Sequence, residues 1–242
     1  KQFEIAKKLR NQELQGKAMG YLGLINEQEG KLEEALKSYN KQIETYSKIN
    51  NNLGLSYALS NKSLILSYLG DFENAINTIK FQIETDERNC NLEGITRGYN
   101  NLGTYYLNLE NYTLAIKYLK LSLKKNRSLG NNVINDGILF NMSECYYYQS
   151  NFTKALLIIN KILTSNHFKK EIYISFLKNS YLKSKNDTYI NELKDIARKE
   201  KDLLIKANAN FALCEISTGN TKKLNYEKQI NETKLLLEKL YY

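Results

Sequence analysis

Apolar and small side chains recur along this chain at an interval of 40 residues. Four alanines share the interval, and a large apolar residue lies three positions before each one. The alanines are Ala35, Ala75, Ala115 and Ala155, and the large residues are Leu32, Phe72, Tyr112 and Phe152. A third column is always small and reads Gly23, Ser63, Gly103 and Ser143. A fixed period of about 20 to 50 residues indicates a repeat protein whose units bury their apolar faces by stacking on their neighbours.

Each unit is predicted to be a hairpin of two antiparallel helices. We expect the small residue to face the alanine 12 positions later, so that the helices approach closely while the large residue fills the space beside them. The turn column between them reads Gly30, Gly70, Glu110 and Ser150. A further column reads Asn11, Asn51, Asn91 and Asn131, and we expect these residues to end helices in the left-handed conformation that asparagine tolerates.

The units align without a gap over most of the chain. Four regular repeats are expected in residues 13–165, as 13–52, 53–92, 93–132 and 133–165. Two degenerate hairpins are expected in residues 166–242, as 168–183 with 187–199, where Ile190 takes the alanine position, and as 201–217 with 221–242. Residues 1–12 match the second helix of a preceding repeat, which predicts a truncated chain with further sequence before it. Terminal repeats are commonly atypical because one face meets water.

Composition supports an all-α fold class. The 242 residues include no proline and only 12 glycines, so little interrupts a helix. No apolar stretch approaches the ~18 residues of a membrane span, and the first residues do not resemble a signal peptide, so we expect a cytoplasmic protein. Three widely spaced cysteines fit a reducing compartment and do not indicate a zinc site.

The formal net charge of +9 raises the question of an acidic partner or nucleic acid. The basic residues are spread along the chain and form no block, and abundant Lys, Asn, Ile and Tyr are what an AT-rich genome produces. The charge is therefore interpreted as a solvated basic surface, and nucleic acid is not the expected partner.

The third unit resembles the tetratricopeptide repeat. It reads Tyr99-Asn100-Asn101-Leu102-Gly103-Thr104-Tyr105-Tyr106 and continues to Tyr112 and Ala115. This is similar to the family's Leu-Gly pair, following Tyr, turn with an aromatic residue, and Ala. The chain departs from the family in lacking the helix-ending proline and in using 40 residues where the family uses about 34. Its long units resemble those of kinesin light chains, Gα-binding adaptors and Rap-like peptide receptors.

The resemblance implies a right-handed superhelical solenoid of about six repeats, whose first helices line a concave groove. Two positions before the small column, the chain reads Tyr21, Asn61, Asn101 and Asn141, and the series resumes at Asn210 if the sixth hairpin is aligned on Ala212 and Leu224. An asparagine amide can bond both the C=O and the N–H of one residue of an extended peptide. Asparagine ladders are also known from the adaptor and receptor relatives. The alternative is that asparagine merely occupies a polar helix position in an Asn-rich chain.

Other side chains are predicted to line the same groove. They are Lys17, Tyr57, Tyr68, Arg97, Asn100, Glu144 and Tyr147. Arg97 could meet a ligand carboxylate or pair with a neighbour, and the tyrosines could form side-chain pockets or pack between repeats.

No enzymatic chemistry is predicted. His167 is the single histidine and has no cysteine or carboxylate cluster near it in sequence, and no phosphate-binding loop occurs. The acidic pairs Glu33 with Glu34 and Glu84 with Asp86 have spacings typical of a solvated helix face. We expect no cofactor and no metal.

Three functional hypotheses follow. The first is a protein–protein interaction module that holds an extended or short helical peptide in the concave groove. The second is the peptide-pheromone-sensing domain of a bacterial regulator whose effector domain is missing. The third is a scaffold that self-associates, for example as a homodimer, through exposed apolar residues of the second helices such as Ile43, Phe81 and Ile83.

Overall fold

The structure, a computed structural model, describes residues 11–130, 132–163, 170–201, 203–217, 223 and 225–231. These residues form helices and contain no strand, so the predicted all-α helical-repeat fold is confirmed. The helices are α1 (Gln12–Gln28), α2 (Leu32–Lys48), α3 (Asn52–Tyr68), α4 (Phe72–Arg88), α5 (Leu92–Asn108), α6 (Tyr112–Arg127), α7 (Asn132–Tyr148), α8 (Phe152–Leu163), α9 (Lys170–Ser184), α10 (Asp187–Lys199) and α11 (Leu203–Ile216). Residues 225–231 are also helical. None of these helices is long and apolar enough to span a lipid bilayer.

Successive helices pack as hairpins in the first part of the chain. Hairpin 1 is α1 with α2, hairpin 2 is α3 with α4, and hairpin 3 is α5 with α6. Each second helix also packs on the first helix of the next hairpin, as α2 does on α3 and α4 does on α5. The first helices contact one another, α1 with α3 and α3 with α5. They therefore lie side by side and form a continuous surface.

The turn within each hairpin uses a left-handed residue at the position of the turn column. Gly30 and Gly70 have φ angles of 73° and 80°, and the non-glycine residues Glu110 and Ser150 have φ angles of 58° and 60°. The backbone N–H of Asp71 donates to the carbonyl oxygen of Leu66 at 2.9 Å, which closes the end of α3. This arrangement satisfies carbonyl groups that the helix end would otherwise leave unpaired.

The asparagine column begins helices and does not end them, so that expectation was wrong. Asn51 and Asn91 both have φ of −82°, and their side chains accept hydrogen bonds from the backbone N–H groups three residues later. This is N-capping, which satisfies an unpaired donor of the first turn. The left-handed residue lies one position earlier, at Asn50 and Cys90, each with φ of 53°. Asn131 lies outside the described residues.

The four alanines of the repeat are fully buried, but they are not the closest neighbours of the small column. A Cβ atom added to Gly23 would lie 2.5 Å from the ring of Tyr39, and one added to Gly103 would lie 2.5 Å from Leu119. These large residues follow the small ones by 16 positions, one helical turn beyond the alanines. The small column therefore makes room for a large core side chain of the second helix, and at Gly103 it also faces the expected alanine, since the added Cβ would lie 3.3 Å from the backbone oxygen of Ala115.

The chain divides into two compact units, residues 1–145 and 146–242, with the boundary inside α7. In the second unit, α9 packs on α10 and α11 packs on both. Ile190 is only partly buried, whereas Tyr189 and Leu193 are buried, so α10 does not keep the alanine register that we expected. Four features considered in the sequence lie wholly or almost wholly outside the described residues. They are the expected helix in residues 1–12, His167, the turn at residues 218–220 and Leu224.

Candidate functional site

One surface of the first unit brings together most of the predicted groove residues. We call it the A-face, and it is formed by α3, α5 and the first-unit part of α7. Its defining residues are Tyr57, Asn61, Arg97, Asn101 and Asn141. Because α3, α5 and α7 are each 17 residues long and start 40 residues apart, residues 40 apart occupy equivalent positions on neighbouring helices.

Two asparagines of the predicted ladder have unused hydrogen-bonding groups. Asn61 and Asn101 are half-buried, and their amides make no hydrogen bond with another residue in the described part of the chain. Each amide offers two N–H donors and one carbonyl acceptor. The two amides occupy equivalent positions on α3 and α5.

Asn141 is engaged within the protein. Its amide nitrogen donates to Oδ1 of Asn100 at 3.4 Å and to Oγ1 of Thr104 at 3.3 Å. Both bonds are long, at the weak end of the usual range. The structure thus brings the predicted site residues Asn100 and Asn141 together, as a bridge between α5 and α7.

Arg97 forms the corresponding bridge between α3 and α5. Its Nε donates to Oγ of Ser60 at 3.3 Å, and its terminal nitrogen donates to Oγ of Ser56 at 3.4 Å. The guanidinium carbon lies 4.1 Å from the ring centroid of Tyr57, a cation–π contact, and Glu93 forms an ion pair with Arg97 at 3.9 Å. Arg97 therefore pairs with neighbouring side chains, the second of the two roles considered for it. Its partners lie 37 and 41 residues earlier, the same separations that Asn141 has from its own partners.

The remaining predicted residues of the first unit are at separate places. Lys17 is exposed and paired with Glu13 at 2.8 Å, an interaction within α1. Tyr68 is exposed at the end of α3. Glu144 is half-buried on α7, where burial raises the pKa of its carboxyl, and it makes no hydrogen bond or ion pair with another residue in the described segments.

Two predicted site residues belong to the second unit. The ring of Tyr147 lies 5.8 Å from that of Phe176. Asn210 is 0% exposed, whereas the next residue, Phe211, is exposed, so the expected continuation of the ladder at Asn210 was wrong. The position that is half-buried at Asn101 on α5 is therefore fully buried at Asn210 on α11.

Sequence reasoning missed a buried polar cluster beneath the A-face. Asp86 was expected on a solvated face with Glu84, but it is 1% exposed, while Glu84 is exposed as expected. Ser56 donates to the carboxylate at 2.7 Å, Asn91 donates at 2.8 Å, and the side-chain amide of Gln82 also donates to it.

A pairing of residues eight positions apart could have identified the cluster. A Cβ atom at position 94 would lie 2.2 Å from a carboxylate oxygen of Asp86, so Gly94 leaves room for that carboxylate. Tyr46 and Gly54 are related in the same way one repeat earlier, with a Cβ at position 54 meeting the tyrosine ring at 2.7 Å. A glycine in the first turn of a hairpin's first helix therefore indicates that the residue eight positions earlier has a buried side chain, either bulky or polar.

The apolar residues proposed for self-association are mostly covered. Ile83 is buried, and Ile43 packs against Leu55 and its neighbours on the next hairpin. Phe81 is the one of the three that is exposed. The second helices therefore offer less apolar surface than the sequence predicted.

Comparison with known proteins identifies the repeat. The family model described as the tetratricopeptide repeat matches residues 17–49 and 96–127. A search of the curated proteins returned no match.

Several solved structures share the fold at low sequence identity. The chain is similar to the crystal structure of a signal transduction ATPase with a tetratricopeptide repeat sensor from Pyrococcus horikoshii, with a TM-score of 0.69 and 17% identity over 99% of this chain and 40% of that one. It is similar to the apo form of RapI, with a TM-score of 0.64 and 15% identity over 98% of this chain and 90% of that one. It is also similar to BtubC from P. vanneervenii, with a TM-score of 0.57 and 17% identity over 64% of each chain.

The chain thus spans less than two thirds of BtubC and of the ATPase. The matched repeats lie in hairpins 1 and 3, where the 40-residue period and the left-handed turn are both present. The chain thus contains two segments that match the tetratricopeptide repeat, and it shares its helical-repeat fold with the solved structures.

Proposed function

We propose that the A-face binds a peptide segment of a partner, with the amides of Asn61 and Asn101 bonded to the ligand backbone. The observation that carries this proposal is that both amides are half-buried, occupy equivalent positions and lack a hydrogen-bond partner within the described residues. Neither amide is fully shut off from solvent, so a bound peptide exchanges water for its own backbone groups, and each such hydrogen bond contributes about 1 kcal/mol net.

The surroundings of the two amides fit a peptide. Tyr57 on the A-face is 41% exposed, and Tyr68, further along α3, is also exposed, so each offers an apolar ring to a ligand side chain. The side chain of Arg97 holds the ring of Tyr57 in place by stacking on it. In this proposal the amides bond the ligand backbone. The tyrosine rings contact ligand side chains and provide the sequence specificity of the A-face.

A binding experiment tests this proposal. Peptides are selected from a random display library against the whole chain, and their affinities are measured for the wild type and for the Asn61→Ala/Asn101→Ala variant. Because each lost hydrogen bond contributes about 1 kcal/mol or more, affinity is expected to fall about 10- to 100-fold. Asn77→Ala, an exposed asparagine on α4, is the matched control and should bind normally. Equal affinity of the double variant and the wild type would contradict the proposal.

We also propose, as a second function, that peptide binding makes this chain the sensing part of a larger regulator. The observation in favour is the similarity over 99% of this chain to a protein that carries a tetratricopeptide repeat sensor. A sensing role requires that the ligand change the conformation. Small-angle scattering of the chain with a selected peptide should then show a changed radius of gyration. An unchanged scattering curve at saturating peptide argues for a passive binding module.

A further inference from the structure

The buried carboxylate of Asp86 lies between hairpins 2 and 3. It accepts hydrogen bonds from Ser56 on α3, from Gln82 on its own helix and from Asn91, which caps α5. The carboxylate is thus the shared acceptor of three side-chain hydrogen bonds. The equivalent positions of hairpins 1 and 3 are Tyr46 and Asn126. This carboxylate is therefore peculiar to one interface of the array.

The cation nearest to this carboxylate in the hydrogen-bond network is Arg97, one hydroxyl group away. Oγ of Ser56 donates to Asp86 at 2.7 Å and accepts from the guanidinium of Arg97 at 3.4 Å. A buried ion is tolerated when an opposite charge and hydrogen bonds compensate its lost hydration. Arg97 supplies that charge, and 25% of its side chain is still exposed on the A-face.

The same network limits what Arg97 can bind. Its single positive charge is shared between Asp86, through Ser56, and Glu93, at 3.9 Å on the other side. A ligand carboxylate placed at Arg97 would meet one cation and two anions. A neutral acceptor such as a peptide carbonyl avoids this repulsion while still using the outward N–H donors.

We infer that Asp86 is a specificity-determining residue of the A-face, which positions Arg97 through Ser56 and offsets its charge. In consequence this part of the surface takes an uncharged hydrogen-bond acceptor of a peptide and disfavours an acidic side chain. The inference rests on the proposed function, because it specifies the class of ligand group that the A-face accepts.

A pair of isosteric peptides that differ only in charge tests the inference. The probes are acetyl-Glu-Ala-Glu-Ala-Glu-amide and the same peptide with Gln in place of each Glu, titrated by calorimetry or NMR at low salt. Wild type should prefer the Gln peptide. Asp86→Asn should shift the preference toward the Glu peptide about tenfold, because one buried anion near Arg97 is removed. The Asp86→Asn/Arg97→Gln double variant should lose that shift.

The control is Glu84→Gln, which removes the same charge from an exposed position of the same helix and should leave the preference as in wild type. A purely structural role of Asp86 would change the melting temperature without changing the preference between the two peptides. If Asp86→Asn does not fold, Ser56→Ala replaces it. That variant removes the bridging hydroxyl and should shift the preference in the same direction by a smaller factor.

Three outcomes would overturn the inference: an equal preference in Asp86→Asn and wild type, a shift that persists without Arg97, or no binding of the Glu peptide to a folded variant at millimolar concentration. Failure of the proposed function is separable from these. The proposed function fails if library-selected peptides bind with an affinity that does not depend on Asn61 and Asn101, whatever the charge preference at Arg97.

Discussion

At the scale of single residues, asparagine at Asn61 and Asn101 is a costly choice, because asparagine is a weaker helix former than alanine by some tenths of a kcal/mol. The 40-residue column identified both residues from sequence. It also identified Asn141, but it did not reveal that the amide of Asn141 is bonded to Asn100 and Thr104. That bond depends on how close α7 lies to α5, which a column of identical residues does not determine.

Glu144 carries a prediction about pH. Burial raises the pKa of its carboxyl, so the folded state binds the proton more readily than the unfolded chain does. The stabilising effect of the protonated form is therefore complete below the unfolded pKa of about 4.3 and is lost as pH rises through the folded value. Glu144→Gln should raise the melting temperature at pH 7, and the gain should vanish near pH 4.

Thermal unfolding of wild type and Glu144→Gln across pH 4 to 8 measures this. Glu84→Gln, at an exposed position, is the control and is expected to change stability by less than about 0.5 kcal/mol at any pH. A melting-temperature gain for Glu144→Gln that is equal at pH 4 and pH 7 would show that the carboxyl is not responsible.

At the scale of the helix and its turns, the all-α helical-repeat fold was predicted from the sequence and is confirmed. Gly30, Gly70, Glu110 and Ser150 were predicted as turn residues, and the structure adds that all four have a positive φ. The asparagine column was misread, since asparagine serves both as a left-handed residue and as an N-cap. The two roles lie one position apart, at Asn50 and Asn51, and periodicity alone does not separate them.

Glycine substitutions test the turn. Gly70→Ala should destabilise the protein by about 1 kcal/mol, because its φ of 80° is strained for a residue with a Cβ atom. Gly137→Ala is the matched control, since Gly137 lies within α7 with nothing within 4 Å of its added Cβ. It should stabilise the protein by up to about 1 kcal/mol through helix propensity. Urea unfolding measures both, and effects of the same sign would contradict the assignment.

The packing of hairpin 2 on hairpin 3 makes a further prediction. Gly94→Ala places a Cβ atom 2.2 Å from Asp86, so the carboxylate must move and its hydrogen bonds from Ser56 and Asn91 are disturbed. We expect a loss of about 1–3 kcal/mol in urea unfolding, the usual cost of overpacking. A loss below about 0.5 kcal/mol would mean that Asp86 does not occupy the buried position described.

At the scale of the whole molecule, the 40-residue period accounts for hairpins 1 to 3. Asn210 was misplaced in the part of the chain where that period is lost. The alignment on Ala212 put Asn210 on the ligand surface, but Asn210 is fully buried on α11. The register of the sixth hairpin was set on Ala212 and Leu224 alone, and two residues of a degenerate repeat do not determine which face of α11 is buried. Asp86 was missed because this position holds an aspartate in one repeat only. A search for residues that recur every 40 positions does not detect such a residue.

The central claim is that the A-face of the first unit binds a peptide through Asn61 and Asn101. The most direct measurement is the NMR shift of the side-chain amide signals when a library-selected peptide is added to the whole chain. The account predicts saturable shifts at Asn61 and Asn101, with no change at Asn77 on α4. Shifts confined to the second helices or to the second unit, with Asn61 and Asn101 unmoved at saturation, would contradict it.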